Sequence, residues 1–253
     1  MSQAAVVSEH EVLGALRGVI DPELDESIVE LQFVDSVRVE DDYVEVVLRL
    51  PTFWCAPNFA YLMACDARDQ VRQVAGRRQV QVRLKDHFAS DEISRGVSED
   101  QPFDHIFADN AANDDLTELR RLFQTKAFTM RLEQLVQFLL DQGLSPVEVS
   151  DLRLADLVSG SDAEPLVLRL GDQVRRLRGG ASLARSYLGK RRQLGLDQAD
   201  DAVLVSDERG MPIAADALLI YLQQARRQRI SIAFNSMFCR GLLETRYGGN
   251  GER

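Results

Sequence analysis

Between Tyr43 and Met63 the chain changes period. Apolar residues alternate from Tyr43 to Leu50 as on a half-buried strand, and from Phe59 through Leu62 and Met63 they recur at helical spacing. Pro51 follows the alternating run, and Pro57 suits the first turn of the helix, where a missing N–H costs nothing. A strand that hands over to a helix in so few residues makes a tight corner, and Cys55 sits in it. The unpaired N–H groups and positive dipole end of a helix start favour a thiolate, the form that attacks electrophiles or binds metals. A small apolar side chain plugging the corner suits the position equally.

Composition narrows the alternatives. A chain of 253 residues with 45% hydrophobic content can bury one large core or two smaller ones, and two domains are expected. A formal charge of −10 argues against a sequence-independent grip on phosphate backbones, so nucleic acid is not an expected partner. No window is long and apolar enough for a membrane span, and Met1 to Glu11 lacks the basic-then-apolar build of a signal peptide, so a cytoplasmic protein without membrane attachment is expected. The three cysteines, Cys55, Cys65 and Cys239, are widely separated and form no CxxC pair, which points away from a disulfide framework and a self-contained four-cysteine cage. A metal here would need carboxylates, histidine, a second subunit in a homodimer, or a client protein.

The local signals add up to an α+β domain. Ser8 followed by Glu11 is a capping box, and Val12, Leu13, Leu16 and Val19 predict a helix to about Gly18. Asp21-Pro22-Glu23-Leu24 ends it, and Ile28 to Val34 reads as a short apolar turn-and-strand stretch. Ser36–Glu40 and Tyr43–Arg49 make a hairpin around Asp41-Asp42, a helix runs from Pro57 to about Val74, and Gln79 to Leu84 alternates again. This predicts a small mixed sheet with helices on one face over residues 1–97, an acidic linker over 98–115, and a mainly helical domain over 116–253. Within the last, a helix begins at Pro146 and continues to Val158, and Leu166–Leu170 pairs with Gln173–Leu177. The basic stretch Arg175, Arg176, Arg178, Arg185, Lys190, Arg191 and Arg192 reads as a solvated face balancing the acidic linker, with an anion site as the alternative.

The stretches Val12–Leu24 and Ile28–Val34, the hairpin, and the Pro-Thr-Phe-Trp-Cys-Ala-Pro setting of Cys55 together resemble the metal-sulfur cluster biosynthesis family of iron–sulfur assembly domains. That family includes SufT-like and PaaD-like proteins and cytosolic iron–sulfur targeting factors. Two positions depart from its pattern: Trp54 replaces a small residue before the cysteine, and Gln32 stands where glycine is common. Leu84 to Ile93 further resembles a subgroup associated with soluble di-iron monooxygenases. The resemblance implies a metal-centre maturation factor rather than an enzyme, with Cys55 as a transient ligand. Its cargo would be iron or an iron–sulfur cluster, with none tightly bound. Its partner would be a client metalloprotein such as a di-iron monooxygenase, or it would act on that client as a protein-only chaperone.

Other residues carry two readings each. Asp86, His87 and Asp91 combine carboxylate and imidazole, donors that suit ferrous iron, yet Ser90 or Asp91 could simply cap a helix beside a solvent-facing histidine. His87 could alternatively serve as base to a nucleophilic Cys55. Asp21 and Glu23 could meet a metal near Cys55, or with Pro22 they shape a turn, as Thr52 and Pro57 shape the cysteine loop. Cys65 and Cys239 read as core, with a bridging role between the two halves open to Cys239. Gly143–Arg153 and Asp207–Ile213 faintly resemble the catalytic domain of tyrosine recombinases. Ser145 stands where the first catalytic arginine belongs, so the resemblance implies a scaffold without that activity.

Overall fold

A computed structural model describes residues 7–107, 116–158 and 164–248. It is mixed α+β, and its contacts gather into two compact units, Met1–Arg120 with Ile232–Arg253, and Arg121–Ser231.

In the first unit Ser8 caps α1 (Glu9–Leu16) through a reciprocal capping box with Glu11. The helix stops two residues short of the predicted Gly18. Strands β1 (Val34–Val39) and β2 (Tyr43–Arg49) pair antiparallel, and β2 pairs in parallel with β3 (Gln79–Lys85), giving the mixed order β1-β2-β3. The stretch before β1 is tight turns: Leu31 N–H donates to Ser27, Gln32 N–H to Val29 and Phe33 N–H to Ile28. Gln32 sits at φ 61°, which no extended strand tolerates and which glycine adopts freely, so the strand begins only at Val34.

Parallel neighbours need a crossover, and α2 (Pro57–Val74) supplies it. Its Ala60, Met63, Ala64, Ala67 and Val71 share one core with Val12 and Leu16 of α1, Val44, Val46 and Leu48 of β2, and Val82 and Leu84 of β3. Fully burying such side chains contributes about 1.5–3 kcal/mol each for the larger ones, which is why the period of 2 in the strands and 3.6 in the helices survives in the fold. Helix α3 (Ser90–Ser98) follows β3. The expected linker 98–115 begins inside α3 and contains a further short helix, α4 (Phe103–Ile106). Phe103 is buried against Tyr61, whose hydroxyl donates to the Gln101 carbonyl, so this part is packed rather than connecting chain. The acidic run Asp109–Asp115 lies outside the described residues.

The second unit holds most of α5 (Leu116–Asp141), then α6 (Pro146–Asp151), capped by Ser145 and Glu148. The helix predicted to Val158 ends at Asp151, because Leu152 turns extended and Leu157–Val158 forms β4. Strands β4, β5 (Leu166–Leu170) and β6 (Gln173–Leu177) make an antiparallel sheet, with β5 and β6 paired as expected. Helix α7 (Ala181–Gln193) carries Arg191, which is buried and not on a solvated face; it donates to Tyr187, Ser206 and the Asp197 carbonyl. Arg176, Arg178 and Arg192 are exposed.

The final helix, α8 (Ala215–Tyr247), is divided between the units, and its residues from Ile232 onward pack with the N-terminal part. The sequence pattern groups all of 116–253 in one expected domain, whereas Ile232–Arg253 belongs to the first unit. Cys239, Leu243 and Tyr247, spaced at i, i+4 and i+8 on one helix face, join the first unit's core cluster. Polar anchors flank them: Ser236 Oγ donates to Glu26 at 2.5 Å, Arg240 pairs with Glu26 and donates to the Glu30 carbonyl at 2.7 Å, and Arg246 donates to the Pro51 carbonyl at 3.1 Å.

Candidate functional site

Because β2 and β3 are parallel and in register, with Arg49 opposite Lys85, the chain leaves both strands at the same edge. Crevices beyond the carboxyl ends of parallel strands are where open sheets bind ligands. Residues 50–55 and 86–88 therefore meet there, and Phe88 N–H donates to the Phe53 carbonyl at 3.1 Å.

Cys55 is half-buried directly before Ala56, the N-cap of α2, with Pro57 in the helix's first turn. Thr52 Oγ1 lies 3.2 Å from Cys55 Sγ and also accepts from Trp54 N–H at 3.2 Å. With one lone pair taken by Trp54, the threonine hydroxyl can donate to a thiolate at Cys55. The thiol opens into a cleft of about 100 Å³ lined by Asp21, Leu24, Phe33, Leu50, Phe59 and Met63, together with Glu23 and Cys239.

His87 lies at this edge but is 2% exposed, and its ring is fully engaged. Ala89 N–H can only donate, so Nδ1 accepts from it at 3.1 Å, and the proton of the neutral ring sits on Nε2, which donates to the Cys55 carbonyl at 2.7 Å. Burial, the largest cause, pushes the His87 pKa down and keeps the ring neutral, against the smaller upward pull of the Cys55 carbonyl. Neither nitrogen is left to ligate a metal or take the Cys55 proton, so both functional readings of His87, and that of a solvent-facing side chain, give way to a residue that positions the cysteine loop. Asp86, at φ 57°, forms an ion pair with Arg49, its Oδ2 3.1 Å from Nε. Asp91 is exposed in the first turn of α3, whose N-cap is Ala89 rather than Ser90 or Asp91. A carboxylate there suits the helix dipole and does not line the cleft.

Asp21 is 6% exposed, and its Oδ1 accepts from Glu23 N–H at 2.9 Å and Leu24 N–H at 2.8 Å, closing the turn that Pro22 enters. Burial outweighs those two bonds and pushes its pKa up to about 6. Glu23 accepts from Asn235 of α8 at 3.3 Å. Cys239 is half-buried on the cleft wall, and burial, followed by the charges of Cys55, Asp21 and Glu23, pushes its pKa up to about 11. The sequence signal for its place was the 239/243/247 stripe, which predicts burial but names no neighbour. Cys65 is half-buried next to Tyr61, away from the cleft lining, and burial raises its pKa. Above the site, Phe53, Trp54 and Phe88 cluster with ring centroids 5.0–6.3 Å apart, and Trp54 is 75% exposed.

The α1-β1-β2-α2-β3 domain carries Cys55 in the loop at its parallel edge, and the family model for iron–sulfur cluster assembly proteins matches residues 9–84. The chain belongs to that family. It is similar to an uncharacterised protein of Methanocaldococcus jannaschii, 30% identical over 95 residues that make up 37% of this chain and 98% of that protein. The matched segment carries Asp21, Thr52 and Cys55 and stops before His87 and Cys239. Among the described residues no group of three or more histidine, cysteine or acidic side chains is gathered to hold a metal ion, and no helix is long and apolar enough to cross a membrane. The thiol of Cys55, in a cleft that also holds a second cysteine and carboxylates, fits partial coordination of a thiophilic cation.

Proposed function

We propose that the protein matures metal centres, with the Cys55 thiolate as the transient ligand through which ferrous iron or a nascent iron–sulfur cluster passes to a client metalloprotein in the cytoplasm. The observation that carries this is the Cys55 thiol opening into a cleft at the carboxyl edge of β2 and β3, inside the assembly-family segment. Incomplete coordination favours release: a cargo held by few protein donors keeps positions open for the recipient's ligands. In this reading the protein turns over no substrate and retains no cofactor. The resemblance of Leu84–Ile93 to the monooxygenase-associated subgroup makes a di-iron monooxygenase the proposed client. The exposed Phe53, Trp54 and Phe88 favour the second reading, a chaperone that grips the same client without carrying metal.

Anaerobic reconstitution with ferrous iron and sulfide separates the two. The carrier reading expects iron and visible absorption on the wild-type chain and their loss in Cys55→Ala. A colourless, iron-free wild type that still rescues a co-expressed monooxygenase selects the chaperone.

A further inference from the structure

Cys239 lies outside the family-matched segment, yet the fold delivers it to the Cys55 cleft. Its position is built. Leu243 and Tyr247 seat the same helix face in the core, Ser236 and Arg240 on either side both hold Glu26, and Arg246 holds the Pro51 carbonyl at the start of the cysteine loop. These ties join the α8 end to the two segments that form the other cleft walls, residues 21–26 and 50–55. Besides the two thiols and the carboxylates of Asp21 and Glu23, the cleft lining is apolar, from Leu24, Phe33, Leu50, Phe59 and Met63 among others, which strengthens attraction between a cation and anions. A cleft of about 100 Å³ has room for one ion with a few small ligands, since a cavity of about 10–15 Å³ on the same measure already holds a water.

We infer that Cys55 and Cys239 form a two-thiolate site for a single thiophilic divalent cation, ferrous iron as cargo, with the remaining coordination positions supplied by water or the recipient. This rests on the carrier reading above and extends it: the second thiolate is this chain's own addition to the assembly domain, contributed by α8. Each thiol gives up its proton to solvent on binding, and no redox change is involved.

Cobalt(II) titration of the reduced full-length chain under anaerobic conditions tests this by thiolate-to-metal charge-transfer absorption. The wild type should give that band. Cys239→Ser should halve its intensity per bound ion and weaken affinity by about tenfold or more, since losing even an outer partner of a ligand costs 10–100-fold. Cys65→Ala should match the wild type. A Cys239→Ser chain with unchanged band and affinity, beside a silent Cys55→Ala, overturns the two-thiolate site and leaves the Cys55 carrier intact. A wild type without the band overturns the site, while the iron and sulfide reconstitution judges the carrier separately. Should Cys239→Ser misfold, the unmutated chain decides: cobalt should shield Cys55 and Cys239 together from iodoacetamide, mapped by mass spectrometry, and shielding of Cys55 alone refutes the inference.

Discussion

Replacing His87 with phenylalanine keeps a ring in a site that is 2% exposed and removes both of its hydrogen bonds. Ala89 is buried, so its N–H loses its partner with no water to replace it; the Cys55 carbonyl belongs to a half-buried residue and can recover part of the loss. An unsatisfied buried group costs about 1–3 kcal/mol, so His87→Phe should cost about 2–4 kcal/mol in all. That is a large part of the 5–15 kcal/mol typical of a domain. Trp54 is the chain's single tryptophan and sits in the same loop, 5.5 Å from Phe88, so its fluorescence through a urea titration reports this unit. The pH dependence gives a second handle. Because the folded His87 pKa is lowered from 6.5, its contribution is fully present above about 6.5 and is lost as pH falls through the lowered folded value. The difference between wild type and His87→Phe should therefore shrink on acidification from pH 7. An unshifted midpoint at pH 7 would refute the positioning role, as would lost metal binding with unchanged stability, the outcome a ligand would give.

Asp21→Asn keeps the oxygen that accepts from Glu23 and Leu24 and removes the buried charge. With the Asp21 pKa raised from 3.8 to about 6, wild-type stability from this group is present below 3.8 and lost as pH rises through 6. The variant should then be more stable by roughly 2–3 kcal/mol at pH 7, with the gap closing below pH 4; a pH-independent gap contradicts the burial argument. Gln32→Gly should raise the unfolding free energy by roughly 0.5–1 kcal/mol, because glycine adopts φ 61° without the penalty a side chain meets, and a lowered unfolding midpoint would show that the glutamine is not strained there.

Much of the first unit was legible because its rules are local. The capping box at Ser8, the hairpin around Asp41-Asp42, the proline-started helix from Pro57 and the strand Gln79–Lys85 each express themselves within a few residues, through period, cap or turn chemistry. The same applies to Cys55 at a strand-to-helix corner. The stretch before Val34 was harder to read, since an apolar run looks alike in a strand and in buried turns until the backbone sign at Gln32 is known.

Residue order alone thus determined the elements of the assembly domain and the cysteine that leads into α2, since covalent neighbours and side-chain period specify both. Tertiary structure alone decided what surrounds that cysteine. Parallel pairing of β2 with β3 carried His87 to the Cys55 carbonyl and consumed both ring nitrogens, and the docking of α8 brought Cys239 to the opposite wall of the cleft. Contacts between segments far apart in the chain depend on how whole faces pack, and no local pattern around His87 or Cys239 encodes the partner it meets.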